Sequence, residues 1–230
     1  MYKKNIRYAI TLLVIFLYSG IIFGQKESLF SKEMISEIET LIEDGDIPGI
    51  AIGIVKGNHK EIKTLGYQTT NNDKEITNHT LFELGSTTKA YTALAVLKLV
   101  EEKKIDLDKN VSDYFPWFIV TFEEKETPIT IKQLLHHTSG IPWETLSLIP
   151  EDRSEKALRN TVDKINGIEL NTAPGTSYEY ATINYDILGL LIEKVSKMPY
   201  DVYVENEVLF PLELKDTYVG SDEVKDRMSI

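Results

Sequence analysis

Ser86 and Lys89 stand at the start of an apolar helical pattern, and their spacing constrains both the local fold and its chemistry. Gly85 precedes the serine, and the pattern that follows predicts a helix over 87–103. If Ser86 opens this helix, the two side chains lie one turn apart on the same face. An amine beside a hydroxyl can accept its proton when burial or a nearby charge lowers the pKa of the amine. The spacing therefore indicates a serine nucleophile assisted by lysine.

The same spacing also has a purely structural interpretation. Serine is a preferred helix N-cap, whose hydroxyl accepts a hydrogen bond from a backbone N–H of the first turn. A serine three residues before a lysine also arises by chance in chains of this length. The choice between a nucleophile and a cap therefore depends on the segments that accompany Ser86.

The first residues of the chain have the pattern of an export signal. Three basic residues lie within the first seven, and the following 16 residues, 8–23, carry no charge. This pattern predicts a signal peptide over 1–24 and a mature domain over 25–230. An uncleaved membrane anchor is the alternative, but a helix that spans a bilayer needs about 20 apolar residues. We therefore expect an exported protein.

Charge and cysteine content exclude several classes of protein. The net charge is −11, and it becomes −14 without residues 1–24, which carry three positive charges and no negative ones. Such an acidic chain is not expected to bind nucleic acid or anionic membrane surfaces. Without cysteine it has no disulfide, thiol nucleophile or lipid-modified cysteine. Export without disulfides favours a bacterial periplasm. The four histidines have no metal-ligand spacing, so neither a metal nor a cofactor is expected.

Hydrophobic periodicity predicts a helix, a strand hairpin, the helix after Ser86 and then a mostly helical segment. Alternation of Ile50, Ile52 and Ile54 with small residues predicts a strand buried on both faces. A partner strand follows over 61–67. The further predicted helices are 31–44, 131–137, 154–165, 182–196 and 200–208.

Two of these helices have a predicted core face. In the helix over 87–103, the apolar positions expected to face the core are Ala93, Leu94, Leu97 and Val100, with Lys98 off that face. In the helix over 182–196, the expected core stripe is Ile187, Leu188, Leu191 and Val195.

A second candidate for chemistry follows the Pro174-Gly175 turn. Tyr180 stands just before a predicted helix start, and a phenol held beside an ammonium can persist as phenolate or relay a proton. Alternatively, Tyr178, Tyr180 and Tyr185 are ordinary half-buried aromatic residues at a turn.

Taken together, four ordered blocks resemble the beta-lactamase-related serine hydrolases. The blocks are Gly85-Ser86-Thr87-Thr88-Lys89, His137-Thr138-Ser139-Gly140, Tyr180-Ala181-Thr182 and Phe210-Pro211-Leu212. The family includes class C beta-lactamases, low-molecular-mass penicillin-binding proteins with D-alanyl-D-alanine peptidase activity, and esterases. The resemblance extends from about residue 30 to residue 220. It implies an α/β (α+β) fold of the beta-lactamase/transpeptidase type, with an antiparallel sheet flanked by helices and a mostly helical insert.

The resemblance assigns roles to individual residues. Ser86 matches the family nucleophile, Lys89 matches the lysine that helps to deprotonate it, and Tyr180 matches the tyrosine that serves as base and proton relay. The block from His137 to Gly140 matches a segment that shapes the core near the site. These matches imply hydrolysis through a covalent acyl-enzyme of a beta-lactam, a D-alanyl peptide or another peptidoglycan-like acyl group, or an ester.

One substitution bears on the substrate. The family usually has asparagine two residues after the tyrosine, and here that position is Thr182. Asparagine offers a donor and an acceptor to a substrate amide, whereas threonine offers only a hydroxyl. Thr182 is therefore a candidate substrate-binding residue of altered preference, and it favours another acyl substrate over a beta-lactam or a peptide amide. Asn184 is two residues out of register and is not assigned the role.

The second departure concerns the end of the chain. The family has a Lys/His-x-Gly motif on a later strand, which also donates one oxyanion-hole N–H, and no such motif follows Leu214. We therefore expect an incomplete N-terminal portion of the domain, from a longer protein or a truncated product, without the C-terminal strands and helix. The alternatives to a hydrolase are a penicillin-recognising sensor that is acylated without turnover and an inactive fragment.

Overall fold

The structure is a computed structural model that describes residues 28–45, 47–71, 74–149 and 151–220. The predicted signal peptide over 1–24 lies outside the described residues, as does the chain after 220. The contacts within the chain define two units, with a boundary between Leu81 and Phe82. Both units combine helices with short antiparallel sheets, so the predicted α+β class is confirmed for the described residues.

The first unit consists of one helix and one hairpin. Helix α1, Lys32–Glu43, begins after Ser31, whose hydroxyl accepts a hydrogen bond from a first-turn N–H. Strands β1, Gly49–Lys56, and β2, His59–Gly66, pair antiparallel with their ends aligned. The predicted helix and hairpin are thus confirmed, and α1 packs on β2.

The prediction that β1 is buried on both faces is wrong. Ile50, Ile52 and Ile54 are half-buried, whereas Val55 has 67% of its surface exposed. In the described part of this unit the sheet has two strands, and along β1 the half-buried isoleucines alternate with the exposed Ala51, Gly53 and Val55, so β1 has a covered side and an open side. The isoleucine alternation is therefore the pattern of a half-buried antiparallel strand.

The second unit begins at Phe82 and is mostly helical. A 3₁₀ turn, Gly85–Thr87, leads into helix α2, and another 3₁₀ helix, Trp143–Leu148, follows α4. The other elements are α2, Thr88–Glu101; α3, Val111–Tyr114; β3, Thr121–Phe122; β4, Lys125–Glu126; α4, Ile131–Leu135; α5, Ala157–Lys164; α6, Ile183–Ser196; α7, Tyr200–Val204; and a π turn, Glu205–Leu209. The predicted helices are present, and that over 200–208 divides into α7 and the π turn.

Helix α6 lies at the centre of this unit. Helices α2, α4, α5 and α7 all pack against it. The predicted core stripe is confirmed, since Ile187, Leu188 and Leu191 are fully buried and Val195 is partly buried against the core. The segment that precedes α6, which carries Tyr180, is therefore fixed to the best-packed part of the unit.

The predicted core face of α2 is wrong at Leu94 and Leu97, whereas Val100 of the same predicted face packs partly buried against the core. Leu94 and Leu97 have 42% and 47% of their surface exposed, whereas the buried positions are Thr92, Ala95, Val96 and Leu99. Both faces of α2 are apolar. Helices α6 and α7 pack against α2, and the hydroxyl of the buried Thr92 lies 2.7 Å from that of Tyr200 on α7. Hydrophobic periodicity alone does not determine which of the two apolar faces of a helix packs against a neighbouring helix.

The loop after α4 is held against the segment that leads to Tyr180. Gly140 has φ +80°, and a Cβ at this position would overlap the carbonyl oxygen of Thr172. The Gly140 carbonyl accepts a hydrogen bond of 2.8 Å from the Asn171 N–H, and the His137 carbonyl accepts one of 2.8 Å from the Glu179 N–H. These contacts place the His137 loop beside Tyr180.

In the part of the chain that the structure describes, none of the helices has the length and apolar character needed to cross a bilayer.

Candidate active site

Ser86 lies in the 3₁₀ turn immediately before α2. Gly85, with φ +53°, makes the change of direction into this turn. The residue in the N-cap position of α2 is Thr87, which makes no side-chain capping bond. The Ser86 hydroxyl is instead directed towards two other side chains, Tyr180 and Lys89. This orientation favours the nucleophile over the helix-cap interpretation.

Ser86, Lys89 and Tyr180 meet in one cluster. Ser86 Oγ lies 2.8 Å from the Tyr180 hydroxyl, and Lys89 Nζ donates to Ser86 Oγ at 3.4 Å. The Lys89 ammonium also lies 5.2 Å from the centroid of the Tyr180 ring and 5.7 Å from that of Tyr185. The structure thus brings together the three residues for which the sequence predicts catalytic roles.

The surroundings of Tyr180 favour its phenolate form. Hydrogen bonds from Lys89 and then from Ser86 lower the pKa of Tyr180 below its ordinary value, against the smaller opposing effect of burial. The positive charge of Lys89 and a hydrogen bond from Thr182 act in the same direction. Because a phenol with a lowered pKa is a stronger candidate for a general base near neutral pH, the site can accept the Ser86 proton at Tyr180.

The Tyr180 ring is held between two other rings. Its centroid lies 4.5 Å from that of His137 and 5.8 Å from that of Trp143. The Ala181 N–H donates to His137 Nδ1 at 3.3 Å, so this nitrogen accepts and the ring proton lies on Nε2. Burial, followed by the charge of Lys89, lowers the pKa of His137, which keeps the imidazole neutral. His137 thus supports Tyr180 as an uncharged ring.

Asn184 belongs to the core and not to the substrate-facing surface. It is fully buried, its Oδ1 accepts from the Ser139 hydroxyl at 2.8 Å, and its Nδ2 lies 3.1 Å from His137 Nδ1. Both polar atoms of the Asn184 amide are therefore engaged within the core and are not available to a substrate. The chain therefore has Thr182, and not a displaced asparagine, at the position next to the Tyr180 hydroxyl.

Two residues near this cluster were not predicted from the sequence. Trp143 packs against Tyr180, and its sequence context gives no sign of this contact. Asp186 interrupts the apolar run of α6, which is a visible signal, and its Oδ2 is buried without a hydrogen-bond partner. Burial raises the pKa of Asp186 to about 6, while the nearby charge of Lys89 acts in the opposite direction.

Among the described residues, no group of three His, Asp or Glu side chains has an arrangement that could hold a metal ion.

Comparison with known proteins places this geometry in a family. The beta-lactamase family model matches residues 34–228. Protein flp of Staphylococcus aureus strain MW2 is 39% identical over 196 residues, which cover 83% of this chain and 39% of that protein. The chain thus spans about two fifths of the length of this relative.

Solved structures have the same fold. The octameric penicillin-binding protein homologue from Pyrococcus abyssi is 29% identical with a TM-score of 0.73, and the match covers 86% of this chain and 47% of that one. EstCE1, a hydrolase with promiscuous acyltransferase activity, is 24% identical with a TM-score of 0.73, over 85% of this chain and 54% of that one. The predicted beta-lactamase/transpeptidase-like fold is confirmed, and the chain belongs to the beta-lactamase family.

Proposed function

We propose that this chain carries the nucleophile, the base and the lysine of a serine hydrolase site that works through a covalent acyl-enzyme. The observation that supports this most directly is the 2.8 Å contact between Ser86 Oγ and the Tyr180 hydroxyl, with Lys89 Nζ donating to the same Oγ at 3.4 Å. A nucleophile, a base and a cation within hydrogen-bonding distance are the groups that acyl transfer needs.

The proposed reaction starts with proton transfer. Tyr180, as phenolate, takes the proton of Ser86 while Oγ attacks the carbonyl carbon of an ester or amide. Lys89 stabilises the phenolate before the transfer and holds Oγ in place. Negative charge that develops on the carbonyl oxygen is stabilised at the N-terminal end of α2. Unpaired backbone N–H groups and the positive end of the helix dipole lie there.

The second half of the reaction reverses these roles. Tyr180 returns its proton to the leaving alcohol or amine as the tetrahedral intermediate collapses to the acyl-enzyme. Water then attacks the acyl carbon, Tyr180 accepts a proton from it, and Ser86 regains its hydrogen as the acid leaves. Thr182, whose hydroxyl donates to Tyr180, is proposed to contact the substrate through its hydroxyl oxygen as a hydrogen-bond acceptor.

Thr182 also supports the second candidate function, which is a penicillin-recognising sensor that is acylated but does not release the acyl group. A hydroxyl in place of an amide changes the groups that orient the acyl-enzyme for water attack. The two functions differ in kinetics, since a sensor gives one burst of product per molecule and a hydrolase continues at a steady rate. An inactive fragment gives neither.

The N-terminal segment 1–24 supports a proposal of export to a bacterial periplasm. Expression of the full chain in bacteria followed by fractionation tests this proposal. Recovery of a shortened chain that begins near Gln25 in the periplasmic fraction would support it, and a full-length chain in the membrane fraction would support the anchor.

Covalent labelling tests the hydrolase proposal. The full chain is treated with a fluorophosphonate and, separately, with a fluorescent penicillin, and the added mass is measured on the intact protein. We expect one label per chain, loss of the label in Ser86→Ala, and retention in Ser147→Ala, which removes an exposed serine of the same unit. Labelling that persists in Ser86→Ala, or a folded wild-type chain that neither reagent labels, would contradict the proposal.

A further inference from the structure

Asp186 is a partly buried acidic residue near the reacting groups, and the proposed chemistry does not use it. It lies in the first turn of α6, one residue after Tyr185, whose ring centroid is 5.7 Å from Lys89 Nζ. Its Oδ2 is buried and has no hydrogen-bond partner. Because buried polar atoms are nearly always hydrogen-bonded, an unpaired carboxyl oxygen at this position needs an explanation.

Two helices that pack against α6 carry groups that interact electrostatically with Asp186. Burial raises the pKa of Asp186 to about 6, against the opposing charge of Lys89 on α2. Burial also raises the pKa of Tyr200 on α7, and the charge of Asp186 raises it further. Thr92, one turn after Lys89 on α2, has its hydroxyl 2.7 Å from that of Tyr200. Asp186 therefore belongs to a polar cluster where α2, α6 and α7 meet.

The other titratable groups of the packed helices do not supply a cation to Asp186. Tyr185, Tyr203 and His137 are uncharged near neutral pH, because burial raises the pKa of both phenols and lowers that of the imidazole. The remaining charged side chains on α2, α4, α5, α6 and α7 are paired elsewhere or exposed: Lys98 with Glu207 at 3.0 Å, Arg159 with Asp163 at 2.8 Å, Glu193 with the Tyr200 N–H at 3.1 Å, and the exposed Glu101, Lys132, Lys164, Lys194 and Asp201. Among the described residues, Lys89 is the cation that acts on Asp186.

During the proposed reaction the negative charge next to Lys89 disappears. Tyr180 is an anion beside the ammonium as phenolate, but it is neutral once it has taken the Ser86 proton. The contact from Lys89 Nζ to Ser86 Oγ is long, at 3.4 Å, and it uses one of three N–H donors. A partly buried ammonium costs free energy unless an anion stays close. The carboxylate of Asp186 is an anion that remains after Tyr180 is neutralised.

We propose that Asp186 is a positioning residue for acylation, which shares the Lys89 ammonium with Tyr180 and holds it near Ser86 while Tyr180 carries the proton. This inference rests on the proposed acyl-transfer function and adds a charge partner to that site. Asp186 acts through Lys89 and does not touch the substrate. Such a role accounts for a buried carboxyl that costs stability, since natural proteins break the rules of burial mainly at functional sites.

The titration of Tyr180 tests the sharing of Lys89 without a substrate. If the ammonium is shared between two anions, Asp186→Asn leaves it wholly to Tyr180, and the pKa of Tyr180 should fall below that of the wild type. In Lys89→Met no ammonium is left to share, so adding Asp186→Asn should leave the pKa of Tyr180 unchanged. Each protein is compared with the same protein carrying Tyr180→Phe, which subtracts the absorbance of the other tyrosines, Tyr200 included.

The rate of covalent labelling tests the role in the reaction. The rate at which a fluorophosphonate labels Ser86 in the full chain is followed from about pH 5 to the alkaline plateau. In Asp186→Asn the rise of the rate should move to lower pH together with the titration of Tyr180. The plateau rate should fall about 10-fold, a coupling typical of residues in one charge network. Asp201→Asn, which removes an exposed carboxylate of α7, should match the wild type in both respects.

The outcomes separate this role from the proposed function. If Asp186→Asn does not move the titration of Tyr180, or moves it equally with and without Lys89, Asp186 does not act through the lysine. If the titration moves but the labelling plateau stays at the wild-type rate, Asp186 has no part in acylation. A folded wild-type chain that is never labelled would contradict the acyl-transfer function itself, and the role of Asp186 in acylation would fall with it.

Discussion

The Tyr180 hydroxyl and Ser86 Oγ lie 2.8 Å apart, although 94 residues separate them in the chain. Ser86 is fixed by the start of α2, and Tyr180 by the segment that leads into α6. Because α2 packs on α6, the distance between the two hydroxyls depends on a helix–helix interface. The site is therefore as rigid as the core beneath it.

Replacing Tyr180 with phenylalanine removes the proposed base and keeps the ring between His137 and Trp143. We expect acylation to slow by about 10²–10⁴-fold, the usual contribution of a general base. Stopped-flow measurement of the acylation rate, with a thermal unfolding curve as a check on folding, gives the result. Tyr178→Phe is the control, since Tyr178 is 68% exposed. Acylation of Tyr180→Phe at the wild-type rate would assign the base elsewhere.

The effect of Lys89 on Tyr180 can be measured without any substrate. The hydrogen bond from Lys89 is the largest cause of the lowered pKa of Tyr180, so phenolate should form below the ordinary value of 10.0. In Lys89→Met the pKa of Tyr180 should rise. The ultraviolet absorbance of phenolate, compared with that of Tyr180→Phe to isolate one residue, follows this titration. Lys98→Met, which removes a surface ion pair to Glu207, is the control. Equal titration in both lysine variants would contradict the argument.

The sequence alone predicted the elements in which the local hydrophobic pattern agrees with the packing of the folded chain. The stripe of Ile187, Leu188 and Leu191 fixed the buried face of α6, because the helix has neighbours on every apolar side. The hairpin followed from alternation and a turn. The meeting of Ser86 with Tyr180 was predicted through the resemblance to a family, since no local pattern encodes a contact across 94 residues.

Other features depend on tertiary packing that no local pattern contains. Leu94 and Ala95 are adjacent and both apolar, and which of them is buried depends on where α6 lies. Trp143 reaches Tyr180 because Glu179 accepts a hydrogen bond from its backbone. This contact links two loops that are 36 residues apart. Predictions at such positions need the arrangement of neighbouring helices.

Asp186 is expected to make stability depend on pH. Burial raises its pKa from 3.8 to about 6, so its contribution to stability is complete below pH 3.8 and is lost as the pH rises through about 6. Above that pH the buried carboxylate faces Lys89, which attracts it, and Tyr200, whose pKa it raises. Asp186→Asn should therefore stabilise the chain at pH 8 by roughly 1–3 kcal/mol and have a smaller effect at pH 4.

Denaturant unfolding at both pH values measures this difference. Asp201→Asn is the matched control, because Asp201 is exposed on α7. If Asp186→Asn shifts the free energy of unfolding equally at pH 4 and pH 8, the carboxyl of Asp186 does not titrate in this range in the folded chain.

Substitution of Gly140 tests whether the His137 loop holds the segment that carries Tyr180 in place. Alanine there meets two obstacles, a φ of +80° and overlap with the Thr172 carbonyl oxygen. Gly167 has a similar φ of +83° but open space around it, so Gly167→Ala isolates the cost of the backbone conformation. We expect Gly167→Ala to reduce the free energy of unfolding by about 1 kcal/mol and Gly140→Ala by more than about 3 kcal/mol.

The additional steric overlap in Gly140→Ala should also affect the reaction at Ser86. Overlap with Thr172 pushes the His137 loop away from the segment that holds Tyr180, since the Glu179 N–H is bonded to the His137 carbonyl. Under conditions where both variants are folded, labelling of Ser86 should therefore slow in Gly140→Ala and not in Gly167→Ala. Equal labelling rates would mean that Tyr180 keeps its place when the loop moves, and that α6 alone positions the base.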